Sequence, residues 1–291
     1  MGRDLALAFP EAARVFEEGD ELLGMHLSRI AWEGPEEELT LTKNAQPALL
    51  VHSVAVLRAV APRIGEGSMA AGHSLGEFTA HVAAGTLSFQ DALAAVRLRG
   101  ELMFAAGEGQ PGTMAAILGL EDEVVEAVCR EVEEGGKVCV PANFNSRGQV
   151  VISGEVAGVE EAMALAREAG ARKAVPLAVS GAFHSPLMAH ALEGLRERLS
   201  EINFSDPKYP VISNVTAEPV TVGSEARGLL VDQLTSPVRW AASVERMVSL
   251  GAERFLELGA GSVLCGLNKR NARGLPCASL GSPWDLDALE A

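Results

Sequence analysis

The chain has 291 residues, with 24 Lys+Arg against 39 Asp+Glu for a formal net charge of −15 at pH 7, and it is 48% hydrophobic and 22% charged. At roughly 150 residues per domain, that length suits two domains or one large α/β unit, and the composition supports a buried core rather than a disordered tail. So large an acidic excess argues against general nucleic-acid binding and against anionic membrane surfaces, both of which need clustered cations.

In chain order, helices are expected over 11–23 and 47–60, the second from Ala48, Val51, Val54, Ala55 and Leu57 at near-helical spacing. A short strand over 68–72 then runs through His73-Ser74-Leu75-Gly76 into a helix that reaches Ala84 and is closed by Gly85. Ser88, with Asp91 three residues on, caps a further helix to about Ala106. From 113 to 180 the pattern reads strand 114–120, helix 121–134, strands 138–143 and 150–153, helix 156–169 and strand 174–179. This β-α-β-β-α-β order is that of a ferredoxin-like unit, here set at 113–180 inside a larger α/β unit made of 1–112 and 181–291. Ser185 and Pro186 open a helix to about Ser200. A strand-like 210–214, helices over 225–234 and 242–250, and a strand over 254–258 follow, and Gly259-Ala260-Gly261-Ser262 turns into a last helix to about Asn271. The tail from Pro276 is weakly patterned.

Cys129, Cys139, Cys265 and Cys277 are too few and scattered for a disulfide framework, and none forms a Cys-x-x-Cys metal pair, so all four are expected as buried small hydrophobes. The apolar runs 47–51 and 54–57 break at His52, Ser53 and Arg58, short of the ~20 residues of a membrane span. Met1-Gly2-Arg3-Asp4 leads to Phe9-Pro10-Glu11 without an apolar signal core, so a cytoplasmic chain is expected.

Gly72-His73-Ser74-Leu75-Gly76 matches Gly-x-Ser-x-Gly, the turn that holds a serine in strained backbone between strand and helix. With 30 glycines in 291 residues, chance alone supplies about 0.2 of a match, so the strand before and the helix after carry the assignment of Ser74 as nucleophile. A serine nucleophile needs a base. His26, His52, His81 and His190 lie in or beside helical patterns, and His73 is locked in the turn with its side chain directed away from that of Ser74. His184, in Gly181-Ala182-Phe183-His184-Ser185-Pro186, precedes a helix N-terminus whose dipole favours the neutral imidazole that a base requires. Arg99 sits on the helix after the serine turn, and facing the site it would take an acyl group carrying its own carboxylate, with Arg97 left to solvent. Gly259-Ala260-Gly261 follows a strand, but Leu264 stands where a dinucleotide fingerprint needs glycine, so a tight turn is expected. No phosphate loop and no His-Glu-x-x-His pair occurs in the sequence.

Taken together, Gln46-Pro47-Ala48-Leu49-Leu50, Ala71 to Glu77, Arg99-Gly100, Asn143 to Ser146, Gly148 to Gly154, Gly181 to Ser185, Gln233-Leu234 and Glu257 to Gly259 resemble the malonyl-CoA:acyl carrier protein transacylase family over nearly the whole chain. The resemblance implies an α/β-hydrolase-like large subdomain with a parallel sheet and an inserted ferredoxin-like small subdomain. It also implies transfer of malonyl from malonyl-CoA to the phosphopantetheine thiol of acyl carrier protein, by ping-pong chemistry through a malonyl-serine, with no metal or redox cofactor and a monomeric chain. Residue by residue, Ser74 becomes the nucleophile and His184 its base, held by the backbone carbonyl of Gln233. Arg99 pairs with the malonyl carboxylate, the Leu75 N–H is an oxyanion donor, and the bulk of Phe183 leaves little room for a methyl branch.

Members of the family begin with a strand and a Gly-Gln-Gly loop whose glutamine is a second oxyanion contact, whereas this chain starts at Met1-Gly2-Arg3-Asp4. A misplaced start codon is expected, tested by reading upstream in frame; the alternative is a catalytically impaired acyltransferase-like protein. A serine hydrolase or thioesterase using the same turn is the other open reading. Acyl carrier proteins are acidic, so a net charge of −15 calls for a local basic dock, with Lys269-Arg270, Arg273 and Arg172-Lys173 as candidates.

Overall fold

The apolar stretch after Leu41 folds as one helix, Thr42–Ile64, longer at both ends than its periodicity predicts. Pro47 lies inside it and offers no N–H to the Lys43 carbonyl, and Arg97 Nη1 donates to that carbonyl at 2.9 Å. This is a computed structural model, and it describes residues 1–289. Leu50, Val51, Val54, Ala55 and Val60 of this helix are buried together with Val15 and Phe16 of the helix Pro10–Leu23 and with Leu93 and Val96 of the helix Phe89–Gly109. Thr42–Ile64 is the one helix among the described residues long and apolar enough to cross a bilayer, and it serves here as the central helix of the larger unit.

Nine strands are present among the described residues: β1 Ala70–Ala71, β2 Gly112–Leu118, β3 Cys139–Ser146, β4 Gln149–Glu155, β5 Lys173–Pro176, β6 Val211–Ile212, β7 Pro219–Val220, β8 Phe255–Leu258 and β9 Cys277–Leu280. The segment from β2 to β5 forms a four-stranded antiparallel sheet in the order β3-β4-β2-β5, the pairing of a ferredoxin-like unit. Side chains alternate across it as the pleat requires. Ala115, Ile117, Val150 and Ile152 pack under the helices Asp122–Glu134 and Val156–Glu168, through Val125, Val128, Val159 and Ala162. Met114, Ala142 and Val151 face the other way, and Phe183 packs against them, so this sheet forms one wall behind the segment that carries His184. Phe144 N–H to Val238 O at 2.9 Å and Val238 N–H to Ala142 O at 2.8 Å tie the small unit to the large one.

In the larger unit the parallel sheet expected from the sequence is present as two pieces. β1 pairs parallel with β6 and β7 adds an antiparallel edge, while β8 pairs parallel with β9 in a separate sheet. Two expectations are corrected here. The weakly patterned tail folds into β9 and the short helix Pro283–Asp287, which opens with a capping box between Ser282 and Asp285. Four residues carry too short a period to read, and β9 is defined by its ladder with β8. Cys265 and Cys277 are joined as a disulfide instead of standing as free thiols, because the helix Val263–Asn271 and β9 bring their Cα atoms within 5.5 Å. Cys129 and Cys139 are free and buried, as expected.

Candidate active site

Ser74 has φ 52, a left-handed conformation that costs a side-chain-bearing residue ~1–3 kcal/mol and persists only where its surroundings enforce it. Asn214, just past β6, supplies the enforcement. Its Oδ1 accepts from Ser74 N–H at 2.7 Å and its Nδ2 donates to the Gly72 carbonyl at 2.7 Å, clasping both arms of the turn. A Cβ at Gly72 would lie 1.9 Å from the Gly76 carbonyl oxygen, so glycine is obligatory there, whereas a Cβ at Gly76 would meet open space. The helix Gly76–Ala83 follows directly. Among the described residues the Leu75 N–H at its start donates to no protein group, which leaves it free to bind an oxyanion.

His184, also at positive φ (57), meets Ser74 within the larger unit, its Nε2 2.7 Å from Ser74 Oγ. Its Nδ1 lies 2.9 Å from the Gln233 carbonyl oxygen and 3.2 Å from that of Ser236. Carbonyls only accept, so the ring proton is on Nδ1 and Nε2 is left to take the serine proton. Burial, followed by the nearby Arg99 charge, lowers the imidazole pKa to about 3 against the opposing pull of the two carbonyls. The neutral base is thus secured by desolvation and a neighbouring cation rather than by the helix dipole expected from the sequence; a 3-10 turn, Pro186–Met188, separates His184 from the helix Ala189–Ser200. The acid limb of the rate at saturating acyl donor is accordingly expected far below the pH 6.5 of an exposed imidazole. A pH–rate profile with its acid midpoint near an exposed imidazole's value would contradict this protonation state.

Arg99 is 1% exposed and turned into the cleft. Nη2 donates to Ser74 Oγ and to Gln233 Oε1, both at 3.0 Å, and Nη1 donates to Gln46 Oε1 on the central helix. Burial lowers its pKa to about 10, with Glu77 opposing, so it is a cation at neutral pH. Arg97 takes the solvent side, bonded to Glu101 and to Lys43 and Asn44, as the sequence pattern suggests.

The other histidines fall where elimination puts them. His73 turns from the serine to Asn145 Oδ1 at 2.8 Å, His52 to the Gly281 carbonyl at 3.0 Å, and His26 and His190 are exposed. His81 is buried, and burial lowers its pKa to about 4. The Gly259-Ala260-Gly261 turn is no cofactor cradle: Glu257 already fills the following helix start, accepting from Leu264 and Cys265 N–H at 3.0 and 2.7 Å.

Sequence reasoning missed the Gln233 side chain, Asn214 and Glu77. Gln233 Nε2 donates to the Ser74 carbonyl at 2.9 Å and to Glu77 Oε2 at 2.6 Å, so one residue touches His184, Arg99, Glu77 and the elbow at Ser74. Burial raises the Glu77 pKa to about 7, with the Gln233 amide, the Asn214 N–H and the Arg99 charge pulling the other way. The one signal in the sequence is Glu77 itself, a carboxylate in the first turn of the short helix Gly76–Ala83.

An acyl transferase domain family profile matches residues 1–282. A malonyl CoA-acyl carrier protein transacylase of Bacillus subtilis is 47% identical over 287 residues, covering 99% of this chain and 90% of the relative. That of Escherichia coli K12 is 43% identical over 284 residues, covering 97% and 92%. A type II PKS malonyl-transacylase solved in complex with its acyl-carrier protein matches with a TM-score of 0.95 at 43% identity, covering 100% of this chain and 94% of that one. An acyl carrier protein S-malonyltransferase from Vibrio cholerae O1 gives 0.95 at 42%, covering 99% and 94%. The chain therefore belongs to the acyl transferase domain family, among the malonyl CoA-acyl carrier protein transacylases.

Proposed function

We propose that the chain transfers malonyl from malonyl-CoA to the phosphopantetheine thiol of acyl carrier protein, as a step of fatty acid synthesis in the cytoplasm. The observation that carries this reading is the meeting of a base and a cation on one oxygen: Ser74 Oγ lies 2.7 Å from the neutral His184 Nε2 and 3.0 Å from a buried Arg99 guanidinium. A hydrolase acting on neutral esters has no use for a desolvated cation beside its nucleophile, whereas a malonyl donor carries the carboxylate that satisfies it.

In the first half-reaction the malonyl carboxylate takes the Arg99 fork, bringing the thioester carbonyl to Ser74. His184 Nε2 accepts the hydroxyl proton as Oγ attacks, and the Gln233 and Ser236 carbonyls stabilise the imidazolium through Nδ1–H. The oxyanion is received by the Leu75 N–H. The C–S bond then breaks, His184 returns its proton to the coenzyme A sulfur, and a malonyl ester remains on Ser74. The carrier thiol, deprotonated by His184, repeats the sequence in reverse order. All catalytic side chains come from one chain, so a monomer suffices, with 113–180 as the small subdomain. Phe183 flanks His184 and narrows the site against a branched acyl group. Radiolabelled malonyl-CoA is expected to leave label on Ser74 that holo-carrier protein removes; label elsewhere, or none, would overturn the reading.

A cationic groove supports the dock expected for an acidic partner: Arg172, Arg270 and Arg273 converge with Arg147 around a groove of about 680 Å³ between the units, with Glu245 its one acidic lining residue. Lys269 stands on the same helix end as Arg270, while Lys173, exposed at the start of β5, does not line the groove. Asn271 joins that rim to the site, its Nδ2 donating to the carbonyl of Asn145, the residue that also contacts His73. Charge reversal at Lys269 and Arg270 is expected to raise KM for carrier protein and leave KM for malonyl-CoA unchanged, measured by varying each substrate in turn; an unchanged carrier KM would refute the dock.

A further inference from the structure

The steps above leave one buried acid unused. Glu77 is 0% exposed; its Oε2 accepts from Gln233 Nε2 at 2.6 Å, and its Oε1 has no well-formed hydrogen bond. The other end of the same amide, Gln233 Oε1, accepts from Arg99 Nη2 at 3.0 Å. A single side chain therefore links a buried carboxyl to the buried guanidinium that faces the nucleophile.

We propose that Glu77 is a positioning residue that balances the charge of the Arg99 clamp, ionised in the empty site and taking up one solvent proton when a substrate carboxylate seats on Arg99. The proposal rests on the malonyl reading of Arg99. In the empty site one anion faces one cation across the Gln233 amide. A malonyl carboxylate adds a second anion to a dry pocket with a single cation, and neutralising the more deeply buried acid costs less than holding both charges. Burial already places Glu77 at about 7, close to its tipping point, while Arg99 at about 10 keeps its proton. Oε1, which has no well-formed hydrogen bond, is the atom that takes the proton, so the Gln233 bond to Oε2 persists. The Asn214 N–H and the Ser213 hydroxyl favour the carboxylate and keep the empty site ionised.

The surrounding groups leave this role to Glu77. Arg99 comes from the helix Phe89–Gly109, His73 and His184 flank the nucleophile, and His81 lies one turn along the helix Gly76–Ala83. All three imidazoles are held neutral by burial, β1 and β6 bring no titratable side chain, and the central helix offers Gln46 to the clamp and turns His52 to Gly281. Arg99 is the charged side chain whose field acts on Glu77.

Malonyl binds best when Glu77 is protonated, so by linkage affinity is full below the Glu77 value of the empty site and falls as pH rises through it, by up to about tenfold per pH unit. The test is isothermal titration of the Ser74→Ala chain at pH 8 with malonyl-CoA and with acetyl-CoA, each in phosphate and in Tris, whose differing ionisation enthalpies report proton uptake. The coenzyme A phosphates are common to both ligands and cancel. Malonyl-CoA is expected to take up close to one proton more than acetyl-CoA, and its Kd to rise several-fold between pH 7.5 and 8.5 while that of acetyl-CoA stays level. Glu77→Gln in the Ser74→Ala background is expected to abolish the malonyl-specific uptake. Equal uptake for the two ligands in Ser74→Ala, or undiminished malonyl-specific uptake in the double variant, would overturn the proposal, and the first comparison does not depend on the Glu77→Gln chain folding. Malonyl-CoA that binds without extra proton uptake defeats the Glu77 role alone. Malonyl-CoA that fails to bind saturably defeats the substrate reading and this role with it.

Discussion

Replacing Ser74 with alanine is expected to lower kcat for malonyl transfer by on the order of 10⁴-fold or more, and the Ser74→Ala/His184→Ala double variant to be no slower than the worse single one. The two side chains meet at 2.7 Å and act as one unit: without the hydroxyl the imidazole has nothing to deprotonate, and without the imidazole the hydroxyl keeps its proton. Single-turnover transfer from radiolabelled malonyl-CoA to carrier protein reads the effect directly. Multiplicative losses in the double variant would mean that His184 acts on some other step. Removing His184 leaves Arg99 Nη2 3.0 Å from the hydroxyl, a cation that favours alkoxide, so His184→Ala is expected to retain more activity than Ser74→Ala.

Arg99→Ala is expected to cut kcat/KM for malonyl-CoA by about 10²–10³-fold, the loss of a bidentate charge-assisted pair worth roughly 3–4 kcal/mol. The same variant should accept neutral acyl-CoAs better than the parent does, because a buried cation no longer has to be desolvated beside an uncharged group. Arg99→Lys should restore little, since an ammonium cannot hold Gln46, Gln233 and a carboxylate together in the plane that the guanidinium fork imposes. Competing malonyl-CoA and acetyl-CoA under one set of conditions measures the switch, with circular dichroism to establish that each variant is folded. A preference for malonyl that survives Arg99→Ala would remove the clamp from the site.

Features set by near neighbours in the chain are legible in the amino-acid sequence alone. The ferredoxin-like unit is readable because its strands and helices are long enough to show periods of 2 and 3.6, which gives the β-α-β-β-α-β succession, and the structure pairs those strands as β3-β4-β2-β5. The elbow is readable because Gly72 must avoid the Gly76 carbonyl four residues away, and the Ser88 cap because its hydroxyl accepts from Asp91 N–H at 3.0 Å. His184 is singled out by sorting the six histidines and Arg99 by its place on the helix after the elbow, whereas Phe183 and the Gln233 carbonyl are reached only through the family resemblance. Geometry brings His184, Arg99 and the Gln233 carbonyl together at Ser74.

The remaining features depend on contacts between residues far apart in the chain. Asn214 clasps the elbow from 140 positions away, Gln233 reaches Glu77 across 156 and Arg99 across 134, and no local pattern marks such partners. The same reason hides β9, visible only beside β8, and the bond between Cys265 and Cys277. Local propensity and periodicity act over a few residues and so are written in the order of the chain. The charge state of a buried acid, the tautomer of a base and the identity of a hydrogen-bond partner depend on which distant segments exclude water from it, and these exist only once the units have packed.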